Sequence, residues 1–525
     1  MTALEPKITY TSTPEEIEAM HGRFDDALES VAKEFGKDYP MIINGEDRGG
    51  EGRFSVVAPA HTSQVLATFP KGSHADVDDA VAAARAYQPE WAAKTPEERV
   101  EIIRAAANKI RERKFEISAV MIIEAGKSRT EAIGEVEEGA DLLDYYATVY
   151  LENAAYVKQM GNEDPRERNL SIGRPFGVWG IMAPFNFPHA LAAGPISGAL
   201  VTGNTVVFKP ASATALSGYH LARALLDGGI PSGALQFVTG GGEQVGDYLV
   251  HHPGIDGVVF TGSKETGMAM YNTFSKVYPK PIIIEMGGKN PTIVTKHADL
   301  DKAVEGVARS AFGFSGQKCS ACSRAYVDAS IYDEFMDRLV KRTAAMKVGE
   351  PSDKATFVGP VIDETAVKRF EEAVAIAKES GGTIRHGGER LTEGDLAEGT
   401  FVAPTIVDGL PLDNELFKRE LFLPFLAVGK IDSLEQALRE ANDVEYGLTA
   451  GIFTEDQDEI EYFFDNIEAG VVYANRKGGA TTGAWPGSQA FSGWKGSGSS
   501  GKGALGPYYP SLFVREQSRT VVVDE

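Results

Sequence analysis

The sequence predicts an α/β protein with more than one domain, and three observations carry this prediction. Between residues 177 and 295, short β-branched runs alternate with spacers that are long enough to form helices. A second set of such runs follows Cys319, and a chain of 525 residues is too long for a single hydrophobic core. Because this alternation is typical of right-handed βαβ crossovers, we expect two α/β domains built on parallel sheets.

The individual elements can be placed in chain order. The sequence Thr-Pro-Glu-Glu occurs at 13–16 and 95–98, and each copy offers an N-cap Thr before a Pro at the first helical position. Residues 76–150 continue as helix-forming sequence. The predicted strands of the first domain are GVWGIMAP (177–184), TVVFKP (205–210), LQFVTG (235–240), GVVFTG (257–262) and PIIIEMGG (281–288). Those of the second are GGTIRHGG (381–388), FVAPTIV (401–407) and FLAVGKI (425–431), with helices at 331–347 and 433–442.

Two regions near the C-terminus differ from this pattern. Gly and Ser dominate residues 478–506, where we expect no regular structure, whereas SRTVVV (518–523) predicts a strand.

Charge and cysteine usage exclude several classes of function. The formal net charge of −23 repels phosphate backbones and anionic lipid surfaces, so we expect neither a nucleic-acid partner nor a membrane. The N-terminal sequence lacks the basic and apolar blocks of a secretory signal, and two cysteines cannot form a disulfide framework. These features favour a cytoplasmic protein.

The Gly-rich stretch GSGSSGKG (496–503) matches two phosphate-binding patterns, G-x-G-x-x-G and most of a P-loop. A P-loop needs Ser or Thr after its Lys to hold Mg²⁺, and this chain has Gly503 there. Both motifs also open a helix, whereas Gly506 and Pro507 follow here. We therefore interpret the stretch as a loop rather than as a nucleotide-phosphate site.

The only two cysteines, Cys319 and Cys322, lie in GFSGQKCSACSR (313–324). A structural zinc needs four ligands, and the sequence has no second Cys pair or close His pair, so we predict no metal site. A redox pair is the weaker alternative. For Cys322 we favour a small apolar residue in a packed interior.

Cys319 is instead a candidate nucleophile. It follows Gly316, Gln317 and Lys318, where a loop meeting a helix would present backbone N–H groups to a thiolate. A cysteine attacks carbonyls well only if its environment lowers its pKa or a base takes its proton.

These residues belong to a constellation that resembles the aldehyde dehydrogenase superfamily. The matching segments are APFNFP (183–188), VVFKPAS (206–212), VVFTGS (258–263), IIIEMGGKN (282–290), GFSGQKCSACSR (313–324) and ELFLPF (420–425). They run in the family's order and at spacings close to the family's, from about residue 40 to the C-terminus. Within the superfamily, KEFGKDYPMIINGE (33–46) and NRKGGATTGAWPG (475–487) most resemble L-glutamate γ-semialdehyde dehydrogenases, also called 1-pyrroline-5-carboxylate dehydrogenases.

The resemblance implies an α/β fold with a Rossmann-type cofactor domain, a catalytic domain and a small β flap for oligomerisation. The implied division is 1–152 (N-terminal helices and first part of the cofactor domain), 153–175 (flap), 176–287 (cofactor domain), 288–490 (catalytic domain) and 491–525 (anchor loop and C-terminal oligomerisation strand). A homo-oligomer, at least a dimer, follows from the flap.

The resemblance also implies NAD(P)-dependent oxidation of an aldehyde through a cysteine thioester. Cys319 attacks the aldehyde, while the Asn186 amide and the Cys319 N–H hold the oxyanion. After hydride transfer to the nicotinamide, a base must activate water to hydrolyse the thioester, and Glu285 is the candidate. A catalytically silent structural relative is the non-enzyme alternative.

For the cofactor, NAD or NADP, the family's pattern assigns Lys209 to the adenosine ribose, Ser263 to the pyrophosphate and Glu420 to the nicotinamide ribose. The implied cofactor residues are Lys209, Ser212, Gly242, Gly246, Gly262, Ser263, Glu420 and Phe422. Relatives that prefer NAD often carry Glu at the position of Ser212, so a neutral Ser predicts that NADP is also accepted.

For the substrate, the resemblance favours glutamate γ-semialdehyde, with another semialdehyde or a general aliphatic or aromatic aldehyde as the alternative. The implied substrate residues are Glu138, Phe187, Ser320, Ser497 and Gly498. Glu138 would lie near the amino group, and Ser320, Ser497 and Gly498 would bind the α-carboxylate through close N–H groups and hydroxyls. The anchor region departs from the family's usual QPFGG at Ala490 and Ser492.

Overall fold

The computed structural model describes residues 7–523 apart from residues 11, 13 and 51. The helix start that the sequence predicts at residues 95–98 is present in the structure. The Thr95 hydroxyl accepts the Glu98 N–H, and the Glu98 carboxylate accepts the Thr95 N–H, so a capping box starts a helix at Pro96 as predicted. The predicted N-cap Thr13 lies outside the described residues.

The elements have the following bounds. The helices are α1 (Pro14–Glu18), α2 (His21–Ala32), α3 (His74–Ala93), α4 (Pro96–Glu112), α5 (Lys114–Ala125), α6 (Arg129–Glu152), α7 (Ala190–Val201), α8 (Ala215–Asp227), α9 (Asp247–His251), α10 (Lys264–Phe274), α11 (Leu300–Phe312), α12 (Tyr332–Ala344), α13 (Glu364–Glu379), α14 (Glu415–Lys418), α15 (Leu434–Asn442) and α16 (Gln457–Asn466). The strands are β1 (Lys37–Asp38), β2 (Met41–Ile43), β3 (Glu46–Arg48), β4 (Arg53–Ala58), β5 (His61–Pro70), β6 (Val157–Gln159), β7 (Glu167–Pro175), β8 (Val178–Met182), β9 (Thr205–Lys209), β10 (Leu235–Phe237), β11 (Gly257–Thr261), β12 (Ile282–Glu285), β13 (Asn290–Val294), β14 (Cys322–Asp328), β15 (Thr383–His386), β16 (Thr405–Asp408), β17 (Phe425–Ile431), β18 (Tyr446–Gly447), β19 (Thr449–Phe453), β20 (Val471–Ala474), β21 (Trp494–Lys495) and β22 (Val514–Val522).

A first seven-stranded sheet has the order β12-β11-β8-β9-β10-β2-β3. The five strands that the sequence predicts run parallel, and β2 and β3 extend the sheet antiparallel. Strands β8, β9 and β10 are buried along their whole length. Helices that cover both faces explain why these strands read as continuous apolar runs rather than as alternating ones.

A second seven-stranded sheet has the order β15-β16-β17-β14-β13-β19-β20, with only β15 antiparallel to its neighbour. The three runs predicted for the second domain supply β15, β16 and β17. The α/β class with two sheets is thus confirmed.

A separate three-stranded antiparallel sheet consists of β22, β7 and β6. The C-terminal run SRTVVV falls largely within β22, which pairs with β7 from Val514–Pro175 to Val522–Glu167. Val521 and Val522 are both 58% exposed, so this sheet presents apolar side chains to its surroundings. Among the described residues, no helix combines the length and apolar composition that crossing a membrane requires.

The Gly- and Ser-rich region 478–506 is mostly irregular, as expected, but part of it runs along β12. The Met286 N–H donates to the Ser497 carbonyl at 2.8 Å, and the Ser499 N–H donates to the Ile284 carbonyl at 3.1 Å. The Ser499 hydroxyl also accepts the Ile284 N–H at 2.9 Å. Small residues permit this close approach, which holds the strand that ends at Glu285.

Candidate active site

The candidate site lies between the two large sheets, where the carboxyl end of β12 meets the loop before β14. Two concave spaces meet there: a small cavity of about 80 Å³ and a larger groove of about 940 Å³. Three residues line both spaces, namely Leu191, Thr261 and Cys319. The Cys319 thiol is therefore the chemically reactive group at the junction.

A turn of unusual backbone conformation positions Cys319. Phe314, Ser315 and Gly316 have φ values of 51°, 54° and 66°, in the left-handed region. The Ser315 hydroxyl donates to the Gly359 carbonyl at 2.7 Å, and a Cβ at position 316 would lie 2.1 Å from the Leu423 carbonyl oxygen. Tertiary contacts thus stabilise a turn that its residues would not adopt alone.

The element after Cys319 differs from the expected one. Residues 313–316 form a 3₁₀ turn, and strand β14 begins at Cys322, so the thiol does not lie at a loop that meets a helix. The prediction of a following helix is wrong because residues 322–328 pair with both β13 and β17 in the second sheet. The N–H groups that face the sulfur belong to Cys319 and Ser320.

The resting thiol of Cys319 is protonated. Burial, together with the nearby Glu420 and Glu285 carboxylates, raises the pKa of the Cys319 thiol to about 12, although the Ser320 and Cys319 N–H groups act against this. Of the two ways to activate a cysteine, the structure therefore favours removal of the proton by a base.

Glu285 is a carboxylate of the cavity that could activate the water for thioester hydrolysis. It ends β12, and burial raises the pKa of its carboxyl to about 8, an effect that the Gly493 N–H partly opposes. Its Oε2 atom is buried without a hydrogen-bond partner among the described residues. A buried carboxyl with a pKa near neutrality suits general acid–base chemistry.

Asn186 lies on the groove side of Cys319. It is 3% exposed, and one hydrogen of its Nδ2 group donates to the Gln317 carbonyl at 3.1 Å. That bond fixes the amide beside the turn that carries Cys319 and leaves the second Nδ2 hydrogen for an oxyanion.

Cys322 has a different environment from Cys319. It is 1% exposed in the apolar core of the second domain, and its sulfur lies 3.2 Å from the Thr292 hydroxyl. Burial raises the pKa of its thiol to about 11. Cys322 lines neither space, in agreement with its interpretation as a packed interior residue.

The groove collects most of the predicted cofactor residues. Those that line it are Lys209, Gly242, Gly246, Gly262, Ser263, Glu420 and Phe422. Ser263 is the N-cap of α10, so the partial positive end of a helix faces the groove. Burial lowers the pKa of the Lys209 ammonium to about 8, and the Glu420 Oε1 atom accepts the Gly288 N–H at 2.8 Å.

A dinucleotide fits this donor set. A helix N-terminus suits a pyrophosphate, and a lysine and a carboxylate at opposite positions suit ribose hydroxyls. A Cβ at Gly287 would lie 1.9 Å from the Glu420 Oε2 atom, so glycine is required where the carboxylate approaches the chain.

Ser212 is the predicted cofactor residue that does not line the groove. Its hydroxyl donates to the Gly240 carbonyl at 3.1 Å, and the neighbouring Ala211 lines the groove instead. Glu243, which the sequence interpretation did not consider, lines the groove beside Gly242. Glu243 therefore supplies a carboxylate to this side of the groove, whereas position 212 supplies none.

The small cavity is lined by three of the predicted substrate residues, Glu138, Phe187 and Ser320. Its other polar groups include Glu285, Lys318 and the Tyr10 hydroxyl, and the rest of its lining is largely aliphatic or aromatic. The Lys318 Nζ atom pairs with Glu131 at 2.6 Å. A few polar groups in an apolar cavity can orient a small polar substrate.

The structure corrects the predicted roles of Ser497 and Gly498. Ser497 is 0% exposed, and its hydroxyl donates to the Gly287 carbonyl at 2.8 Å and accepts the Gly447 N–H at 3.1 Å. Gly498 forms a β-bridge with Glu285 rather than lining the cavity. Both residues support the Glu285 segment, and backbone groups occupy the Ser497 hydroxyl both as donor and as acceptor.

The loop that does face Cys319 consists of Thr482, Gly483 and Ala484. Sequence reasoning missed these residues as substrate contacts, although they lie in NRKGGATTGAWPG, a segment already singled out by its resemblance. The Thr481 hydroxyl donates to the Ser320 carbonyl at 2.6 Å, which ties this loop to the residue after Cys319.

The model of the aldehyde dehydrogenase family matches residues 46–515. The chain belongs to the aldehyde dehydrogenase family. Since the family oxidises aldehydes with a nicotinamide cofactor, the protein is an NAD(P)-dependent oxidoreductase, and its substrate is an aldehyde.

Several members of the aldehyde dehydrogenase family are similar to it over nearly their full length. The 1-pyrroline-5-carboxylate dehydrogenase of Geobacillus sp. (strain WCH70) is 39% identical over 510 residues, 96% of each chain. A 1-pyrroline-5-carboxylate dehydrogenase from Thermus, solved with bound NAD, has a TM-score of 0.92 and 35% identity, with 99% of this chain and 100% of that chain covered. Proline utilization A from Bdellovibrio bacteriovorus has a TM-score of 0.91 and 33% identity, and the alignment covers 97% of this chain but 52% of that one.

Aldehyde oxidation can be followed through the residues of this aldehyde dehydrogenase. Transfer of the thiol proton to a base frees the Cys319 sulfur to attack the carbonyl carbon, and Asn186 and the Cys319 N–H can hold the resulting oxyanion. The nicotinamide, when bound, supplies the acceptor for the hydride. Glu285 then takes a proton from the water that hydrolyses the thioester, which releases the carboxylate and the free thiol.

Proposed function

We propose that the protein oxidises L-glutamate γ-semialdehyde, the open form of 1-pyrroline-5-carboxylate, to glutamate in the breakdown of proline or arginine. The observation that carries the proposal is the polar lining of the cavity. Glu138 offers a buried carboxylate to an ammonium group, and Ser320 and Thr482 offer hydroxyls to a carboxylate, in the same small cavity as Cys319. An α-amino acid with an aldehyde at the end of its side chain carries an ammonium group for Glu138, a carboxylate for the two hydroxyls and a carbonyl carbon for Cys319.

The similarities support the same substrate, since the curated relatives compared above carry the name 1-pyrroline-5-carboxylate dehydrogenase. The site residues that support the reaction are Cys319, Glu285 and Asn186. On this proposal, the loop 482–484 takes the place originally given to Ser497 and Gly498, because its residues line the cavity.

Three aldehydes of equal chain length test the proposal. Glutamate γ-semialdehyde carries both polar groups, 5-oxopentanoate lacks the amino group, and pentanal lacks both. We expect kcat/KM to fall by about tenfold or more at each loss, the scale of a hydrogen bond to a charged group. A wild-type enzyme that oxidises pentanal as efficiently as the semialdehyde would exclude this substrate and leave the aldehyde dehydrogenase assignment intact.

We further propose that the sheet of β6, β7 and β22 joins copies of the chain into a homo-oligomer. The support is the set of exposed apolar side chains on its two edge strands, Val157 on β6 and Val521 and Val522 on β22. A cytoplasmic location is proposed from the composition, and the two free cysteines fit a reducing compartment. Removal of residues 514–525 should yield a smaller species in sedimentation if the sheet is the interface; an unchanged mass would exclude it.

A further inference from the structure

The N-terminal segment reaches the aldehyde cavity through Tyr10. Its ring lines the cavity together with Cys319 and Glu138, although it comes from a part of the chain that precedes both large sheets. The Tyr10 hydroxyl donates a hydrogen bond to the Oε2 atom of Glu138. Nothing in the reaction described above uses this residue.

Tyr10 is held on three sides. A Cβ at Gly134 on α6 would lie 3.1 Å from its ring, so the segment packs directly on that helix. Its ring makes edge-to-face contacts with Phe187 and Trp485, at centroid distances of 5.9 Å and 5.8 Å. Ile8, two residues earlier, is 0% exposed.

A second contact fixes the same segment from outside the cavity. The Lys7 ammonium pairs with Asp141, whose carboxylate also accepts the Trp485 Nε1–H at 2.8 Å. Trp485 directly follows the loop 482–484 that faces Cys319. The N-terminal segment therefore bridges α6, which carries Glu138, and the loop on the other side of the cavity.

We propose that Tyr10 is a specificity-determining residue, which holds the Glu138 carboxylate so that its second oxygen receives the ammonium group of an amino-acid aldehyde. The inference rests on the proposed function, because it assigns a partner to one polar group of that substrate. It makes the N-terminal segment part of the substrate site rather than an extension of the fold.

The electrostatics around Glu138 explain why such a donor is needed. The ionisable groups that face Glu138 are Tyr10, Glu135, Lys127 and Lys318. Burial raises the pKa of the Glu138 carboxyl to about 8; the Tyr10 hydrogen bond opposes this rise, Glu135 adds to it, and the two lysines lower it. Without the hydroxyl, the pKa of Glu138 would be higher still, and ionising this carboxyl to pair with an ammonium group would cost more free energy.

The test uses the full-length protein with Tyr10→Phe, which removes the hydroxyl and keeps the ring. For glutamate γ-semialdehyde, we expect KM to rise about tenfold while kcat stays within about twofold, because the lost bond concerns binding of the head group. For 5-oxopentanoate and pentanal, we expect no change in either constant. Tyr145→Phe on α6 is the matched control, since Tyr145 does not line the cavity.

Binding of L-glutamate, followed by calorimetry, gives a readout that does not depend on turnover. Tyr10→Phe should weaken it about tenfold at pH 7, and the weakening should shrink as the pH rises above 8, where Glu138 becomes ionised in both proteins. Equal losses for all three aldehydes, or unchanged glutamate binding, would overturn the role of Tyr10. A wild type that does not distinguish the three aldehydes would instead overturn the proposed substrate.

Discussion

The two spaces that meet at Cys319 are built in opposite ways. The cofactor groove is lined by glycines, a helix N-terminus and a lysine that lie within or beside the predicted strands of one sheet, together with Glu420 and Phe422 from beside the second sheet. The aldehyde cavity is about a tenth of its volume and is assembled from the N-terminal segment, α6, the loop 482–484 and the region after residue 490. The groove thus draws most of its lining from one sheet and its loops, whereas the cavity is assembled from parts of the chain that are far apart in sequence.

The largest expected effect tests whether Cys319 is the reactive group where the two spaces meet. Cys319→Ala should lower kcat by at least about a thousandfold, because it removes the nucleophile from both spaces. Cys322→Ala should retain nearly all activity, since that thiol lies in the core and lines neither space. If steady-state kinetics gave the reverse order, the nucleophile would be Cys322 and the assignment of Cys319 would be wrong.

The next largest effect concerns the base on the cavity side. Glu285→Gln should slow steady turnover by about a hundredfold or more, because thioester hydrolysis needs an activated water. A rapid burst of reduced cofactor should persist, since hydride transfer needs no water. If the burst disappeared together with steady turnover, Glu285 would be the group that deprotonates Cys319.

The pH dependence sharpens this assignment. Burial raises the pKa of Glu285 to about 8, and a general base acts in its ionised form, so turnover should increase as the pH rises towards 8 and then level off. In Glu285→Gln this rising limb should be absent from the residual rate. An unchanged limb in the variant would show that another group, such as Glu420 with a pKa raised by burial to about 7, controls the profile.

Ser497→Ala tests the boundary between cavity and scaffold. Its hydroxyl bonds only to backbone groups of Gly287 and Gly447, so the substitution should lower the free energy of unfolding by about 1–3 kcal/mol. Any loss of kcat/KM should be similar for glutamate γ-semialdehyde and pentanal. A loss confined to the semialdehyde would restore Ser497 to the substrate site.

The smallest effect belongs to the groove. Glu243→Gln removes a carboxylate that lines it, and should raise the efficiency with NADP relative to NAD by about two- to fivefold, a modest change because the side chain is exposed and screened. Ser212→Ala should leave the ratio unchanged. If Ser212→Ala shifted the preference and Glu243→Gln did not, the groove would bind the adenosine ribose differently from this description.

The sequence by itself determined the features that depend on neighbouring residues. The alternation of apolar runs and helix-length spacers was enough to predict the two sheets, because βαβ connections are local. Cys319, Glu285 and Asn186 each stand in a short motif whose order along the chain identified the chemistry. The groove residues Lys209 and Ser263 were found in the same way, from the resemblance of VVFKPAS and VVFTGS to segments of the family.

Only the tertiary structure decided how the substrate end is built, because the relevant contacts join residues more than a hundred positions apart. Tyr10 meets Glu138, and Ser497 turns its hydroxyl to Gly287 instead of the cavity. The protonation of Cys319 was also beyond the sequence: a motif names the thiol, but its pKa depends on how deeply the fold buries it and on which carboxylates the fold brings near.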